Sequence, residues 1–318
     1  MSQSPEHVAD VVDVDCHGTR ALVTGSTSGI GRAAALALGR LGADVIVHGR
    51  DAEAGEEVVT ELTGYGVDAQ FVRADFADVE AVRDLAATVR DVTDELDLLL
   101  NNAGGVFRGS GTTDAGFERT VHVNHLSPYL LTAELLDHLA ADARVVTTAS
   151  AAHEGASLNL DRVDGDRYYT GFEAYSHSKL ANVLFASELA RRLRSADRDI
   201  VSNSIHPGAI PGSGFGRFLP GPLPKVVEQF GRVPGVTTVA DGAAELLFAA
   251  VSPRTADVTG QYFTDQRPKT PSSAARDMDA ARRLWTASAR FLDIDEPLAE
   301  AASVASETGR GSGPGADS

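Results

Sequence analysis

Cysteine occurs once in the 318 residues, at Cys16, so no intramolecular disulfide framework is available and such usage suits a reducing compartment. Lysine is almost as scarce. Of 28 basic residues only Lys179, Lys225 and Lys269 are lysines, against 45 acidic residues and a net charge of −17. A surface this negative repels nucleic-acid phosphates and anionic lipid, which excludes both as expected partners. No apolar run approaches the ~18–20 residues of a membrane helix. No histidine or cysteine spacing resembles a metal site, and no internal repeat is present. Met1 to Asp10 has neither the basic nor the apolar region of a signal peptide, so a cytoplasmic protein is expected.

What is present is a chain with 43% hydrophobic residues, enough for a sizeable core. Residues 1–17 are polar and acidic, with Val11, Val12 and Val14 too sparse for a core element, and read as a flexible leader. Residues 301–318, small, acidic and glycine-rich, read as a disordered tail. The interval 18–300 is expected to form one domain.

That interval opens with an apolar run, Arg20 to Thr24, followed by Gly25-Ser26-Thr27-Ser28-Gly29-Ile30-Gly31 and an Ala/Leu-rich helix to about Leu41. Strand, glycine loop and helix are the context a phosphate cradle requires: the glycines allow close approach, and the helix N-terminus offers free N–H groups. A plain glycine turn packing helix on sheet is the other use of the pattern. The next strand, Asp44 to His48, ends at Gly49-Arg50-Asp51. A carboxylate there suits the ribose 2′-OH of NAD, whereas an arginine accommodates the 2′-phosphate of NADP. Arg50 therefore favours NADP(H) over NAD(H); Asp51 competes, although it could equally cap the following helix.

Helices over 52–63 and 78–91 alternate with strands at 69–73 and 97–100. This rhythm implies an α/β, Rossmann-type doubly wound fold, with about seven parallel strands, helices on both faces and ligands at the carboxyl ends of the strands. Asp75 and Phe76 fall at that edge, where Asp75 could meet the adenine or cap a helix. Asn101-Asn102-Ala103-Gly104 follows the fourth strand at the same edge. Further on, Tyr175 and Lys179 are four apart on a helix and project side by side, so the ammonium should lower the tyrosine pKa and make it an acid/base.

Thr24-Gly25 with Gly29-Ile30-Gly31, Asn101 to Gly104, and Tyr175 with Lys179 resemble the short-chain dehydrogenase/reductase family over about residues 18–265. The three residues between Gly25 and Gly29 are similar to its compact single-domain branch. The wording from Ser150 through Tyr175 to Asn182, with Ala280 to Trp285, is similar to the retinol-dehydrogenase and WW-domain-oxidoreductase-like group. The resemblance implies a catalytic set of Asn124, Ser150, Tyr175 and Lys179, with Asn124 leading the proton to solvent through water. It places Gly25 to Gly31, Arg50, Asp75, Phe76, Asn102, Ala103, Gly104, Tyr175, Lys179, Pro207, Gly208 and Ile210 at the cofactor. Where the family commonly carries a Thr against the nicotinamide amide this chain has Gly212, and Ser213 is the available substitute.

The expected reaction is hydride transfer between NADP(H) and a lipophilic alcohol, aldehyde or ketone. Phe215, Phe218, Leu219, Leu223 and Phe230 in the Gly/Pro-rich stretch 209–237 suggest an apolar lid, a disordered insert being the alternative. The resemblance also implies a possible homodimer through helices near 115–139 and 175–194. A non-catalytic NADP-binding sensor or scaffold and a nucleotide-sugar epimerase or dehydratase are the rival functions. The acid-rich, lysine-poor composition is that expected of a protein working in concentrated salt, where self-repulsion is screened. Its thermal unfolding midpoint is therefore expected to rise as KCl is raised from low to molar concentration; a midpoint indifferent to salt contradicts this.

Overall fold

Strands that read as unbroken apolar runs must be covered on both faces, and here each becomes a member of one mainly parallel sheet. The computed structural model describes residues 3–107, 111–163, 170–208 and 237–299. Its strands are β1 (Arg20–Val23), β2 (Asp44–Gly49), β3 (Ala69–Arg73), β4 (Leu96–Asn101), β5 (Leu139–Thr148), β6 (Val201–Ile205), β7 (Tyr262–Thr264) and β8 (Arg267–Pro268). They lie in the order β3-β2-β1-β4-β5-β6-β7-β8, all parallel except the antiparallel β7–β8 pair.

One face is covered by α1 (Pro5–Val8), α2 (Gly29–Arg40), α3 (Ala52–Thr63) and α8 (Val239–Val251). The other carries α4 (Val79–Val92), α5 (Arg119–Val121), a π-helical turn His122–Leu126 running straight into α6 (Ser127–Leu135), α7 (Gly171–Ser195) and α9 (Met278–Phe291). Strand parity sorts the core accordingly: Leu99 and Val145 face the α6/α7 layer, Leu100 and Val146 the α2/α8 layer.

The expected α/β architecture is present, with three departures. The eighth strand was not legible because its hairpin turn, Asp265-Gln266, lacks glycine, although both residues adopt positive φ (51° and 55°). The turn is held from outside: Glu245 of α8 accepts from the Gln266 N–H at 2.7 Å, and the Gln266 amide donates to the Val8 carbonyl at 2.8 Å. The leader is also held rather than loose. Ala9, Val11 and Cys16 are buried in the α2/α8 layer, and Arg40 clasps Glu6 at 2.7 and 2.9 Å. Its apolar residues are sparse because they cover only one end of a packed layer. Finally, β5 begins at Leu139 and runs ten residues, longer than the short apolar runs that mark the other strands, across a register shift between Leu96 and Leu98.

Helices α6 and α7 are joined to α9 through aromatic rings. Trp285 sits edge-on to Tyr129 (5.0 Å between ring centres) and stacks on Phe185 of α7 (5.8 Å, 12°), with the Arg192 guanidinium 4.9 Å over its ring. Contacts of this kind add about 0.5–1.5 kcal/mol each beyond area burial. The stretch 209–236 and the tail from 300 lie outside the described residues.

Glu245 is a buried carboxyl whose Oε2 has no hydrogen-bond partner among the described residues. Burial pushes its pKa up from the ordinary 4.5 to about 7, with Asp265 adding to the shift. Between those values the folded state binds more protons than the unfolded one, so stability falls as pH rises through that window. Glu245→Gln should therefore stabilise the protein at pH 8 by on the order of 1–3 kcal/mol, with the gain gone near pH 4.5. Urea unfolding at pH 5 and pH 8 checks this; equal effects at both contradict it.

Candidate active site

In this strand order the chain reverses direction between β1 and β4, and the crevice beyond their carboxyl ends is where an open α/β sheet takes a ligand. A cavity of about 510 Å³ lies there. Its floor is tied by Thr24. The Thr24 hydroxyl donates to the Leu100 carbonyl (3.1 Å) and accepts from the N–H groups of Asn102 and Ala103 (both 2.9 Å), while the Asn102 amide donates to the Thr24 carbonyl (3.0 Å). The loops after β1 and β4 are thus one unit. Asn101 instead turns into the helical layer and donates to Thr132 of α6 at 3.0 Å.

At one end of the crevice the glycine loop meets α2. A Cβ on Gly31 would lie 2.3 Å from the Gly25 carbonyl and 2.5 Å from the Asn102 amide, so only glycine fits. At Gly29, φ is +56° and a Cβ would meet nothing within 4 Å, which leaves the mouth of the helix open. Ser28, the N-cap, makes no side-chain cap bond, and the first turn of α2 has no acidic residue. In so acidic a chain, an uncapped helix start facing a cavity fits an anionic pyrophosphate. Thr27, Ser28 and Ile30 line the cavity, but Ser26 does not. Its hydroxyl points inward, donating to the Val23 carbonyl (2.7 Å) and accepting from the His48 N–H (3.0 Å), because it bridges β1 to β2.

His48, missed at the sequence level, steadies this end. Its Nδ1 accepts from the Gly25 N–H at 3.2 Å and its Nε2 lies 3.2 Å from the Ala74 carbonyl, which requires the neutral Nε2–H form. Burial lowers its pKa to about 4, consistent with that form. The Phe76 ring stacks on it at 4.6 Å. Arg50 reaches out at the cavity rim with its guanidinium 3.8 Å from Asp75, and Arg73 donates to the Arg50 carbonyl at 3.1 Å. Asp75 accepts from the Ala77 N–H at 3.0 Å, whereas the cap of α4 is Asp78. Asp51 is the cap of α3, accepting from Ala54.

At the other end stand Ser150, two residues past β5, and Tyr175 and Lys179 on α7, all lining the cavity. Thr170 and Glu173 form the capping box that starts α7, which sets the rotation of both. The Lys179 ammonium lies 5.6 Å from the Tyr175 ring centre and donates to the Thr148 carbonyl at 2.8 Å; the Asn182 amide shares that carbonyl at 3.0 Å. The expected lowering of the Tyr175 pKa is not found. Burial raises it, and this outweighs a hydrogen bond from Ser150 that pulls the other way. The same burial brings Lys179 down to about 8, because an ammonium loses its hydration there just as a phenolate does.

Asn124 does not line the cavity. From the π-helical turn its Oδ1 accepts from the Gly105 N–H, and its Nδ2 donates to the Gly105 carbonyl and to Ser178 Oγ, all at 2.9 Å. It clamps the loop after β4 to α7, a task for which a π-turn re-aims the side chain. Between the two ends, Val106, Phe107, Val123, Ala151, Ala152 and Phe172 give an apolar wall, with Phe172 53% exposed. His206, Pro207 and Gly208 close the far side, and Thr237 packs over Gly208. Ile210, Gly212 and Ser213 lie outside the described residues. Among those residues no group of three potential metal ligands is found, and no helix is long and apolar enough to cross a membrane.

A family model described as short chain dehydrogenase matches residues 19–216. A Streptomyces sp. (strain C5) protein provisionally named daunorubicin C-13 ketoreductase DnrU is 40% identical, covering 86% of this chain and 92% of its own. Human retinol dehydrogenase 13 is 35% identical over 88% of this chain and 86% of its own. Among solved structures, a Burkholderia cenocepacia short chain dehydrogenase in complex with NADP superposes with a TM-score of 0.63 at 29% identity, covering 82% of this chain and 98% of that one.

Proposed function

The chain belongs to the short-chain dehydrogenase family, an oxidoreductase family using a nicotinamide cofactor, and from that premise we propose that it interconverts a lipophilic alcohol and its aldehyde or ketone with NADP(H). The observation that carries this reading is the placement of Ser150, Tyr175 and Lys179 on the same cavity as the glycine loop. When bound, the nicotinamide supplies or accepts the hydride. In reduction the Tyr175 phenol gives its proton to the carbonyl oxygen, and a raised pKa keeps that proton in place at neutral pH. Ser150 Oγ, already accepting from the Ala152 N–H at 3.2 Å, holds the same oxygen. Lys179, fixed by the Thr148 carbonyl, orients the ribose side of the cofactor and supplies positive charge as phenolate develops. Asn124 supports this set by holding Gly105.

The preference for NADP(H) rests on Arg50 at the rim, steadied by Arg73, as the group for the 2′-phosphate. The lipophilic substrate rests on the apolar wall from Val106 to Phe172, and relatives named for retinol and for a ketoreductase point the same way.

Purified protein with NADPH and a panel of decanal, retinal and acetophenone is expected to consume NADPH, followed by absorbance; no turnover with any would sink the reading. Tyr175→Phe should lower kcat by at least ~10³-fold while NADPH binding stays within a few-fold, since the phenol is the proton donor; retained turnover contradicts its role. Arg50→Ala should raise KM for NADPH roughly tenfold and leave KM for NADH nearly unchanged, as expected for loss of a charge-assisted contact worth ~1.5–3 kcal/mol. An unchanged NADPH/NADH ratio would overturn the cofactor assignment.

A further inference from the structure

Ser150 opens the 3-10 turn Ala151–Gly155, whose residues Ala151 and Ala152 form part of the apolar wall. Inside that turn, His153 has no solvent exposure. Its Nδ1 lies 2.7 Å from the Ser150 carbonyl, which can only accept, so Nδ1 must carry a proton. Its Nε2 lies 3.2 Å from the Ser272 backbone N–H, which can only donate, so Nε2 must be a bare acceptor. One tautomer of the neutral ring satisfies both partners at once. Beside it Glu154 pairs with Lys269 at 3.1 Å, and the Tyr262 ring stands edge-on to the imidazole at 5.0 Å. The turn that carries Ser150 is therefore bound twice to the segment running from β8 toward α9. Nothing in the reaction uses either link directly.

We propose that His153 is a positioning residue for Ser150: it ties the Ser150 main chain to the β8–α9 connection and so fixes Ser150 Oγ relative to the Tyr175 phenol. The proposal rests on the reading of Ser150 as the group that holds the substrate oxygen. The geometry is well suited to the task. The hydrogen bond acts on the serine's own carbonyl, and its other anchor, Ser272, lies outside the cavity, so strain at the site is resisted from a separate part of the fold. Displacement of a reacting group by about 1 Å lowers rates on the order of 10²-fold.

The test compares His153→Phe, which keeps a ring but loses both bonds, with His153→Asn, which retains a donor toward Ser150 and cannot reach Ser272. Each is made in the native chain and in Ser150→Ala, with kcat and KM measured on the panel carbonyl reduced fastest and NADPH affinity measured by its fluorescence. His153→Phe is expected to lower kcat 10- to 100-fold with NADPH affinity within twofold, His153→Asn to recover part of the loss, and neither to cause a further loss above twofold in Ser150→Ala. Equal losses in both backgrounds, or unchanged kcat in the folded variants, overturn the proposal. Where His153→Phe fails to fold by circular dichroism, His153→Gln carries the same comparison. Ser150→Ala with native turnover would instead remove the reading of Ser150 itself, and the proposal with it.

Discussion

The Thr24 hydroxyl holds the crevice together. Two parallel strands whose continuing chains leave in opposite directions will splay at their carboxyl ends unless something bridges the loops. Here one small side chain accepts from two N–H groups of the loop after β4 while its own proton goes to the Leu100 carbonyl. Each such bond is modest, about 0.5–1.5 kcal/mol net, but a buried N–H left without its acceptor costs about 1–3 kcal/mol. The glycine loop, the Asn102–Gly105 loop and, through Asn124, α7 all take their positions from that bridge.

At the reactive end, burial outweighs the pair attraction read from the sequence. Tyr175 and Lys179 are neighbours, yet each loses hydration, so both move toward their neutral forms. The ammonium lies 5.6 Å from the ring centre and is directed at a main-chain carbonyl. Helical spacing alone, which counts the charge and not its burial, gives the opposite sign for Tyr175.

The strands, the glycine loop and the Tyr175/Lys179 pair were legible because each depends on local rules: unbroken apolar runs, a turn only glycine can make, and helical spacing. What was not legible depends on partners distant in sequence. Ser26 faces inward because His48, 22 residues on, needs its hydroxyl. His48 looked like the end of a strand, yet its two nitrogens meet Gly25 and Ala74. The leader looked loose because the surface it covers, α8, is formed more than 220 residues later. The Asp265-Gln266 turn carries no glycine signal; Glu245 holds the Gln266 backbone N–H, and the Gln266 side-chain amide is held by the Val8 carbonyl. Asn124 was found by its place in a motif, but its task, clamping Gly105, follows from the π-turn, which no local propensity announces.

The aromatic stack that joins α9 to α7 has an optical consequence. Trp285 is the single tryptophan of the chain, it is 3% exposed, and it rests on Phe185 of the same helix that bears Tyr175. A lone indole enclosed by rings and a guanidinium emits from one environment rather than an average of several. The chain thus carries an intrinsic fluorophore whose colour and intensity record the seating of α9 on α7.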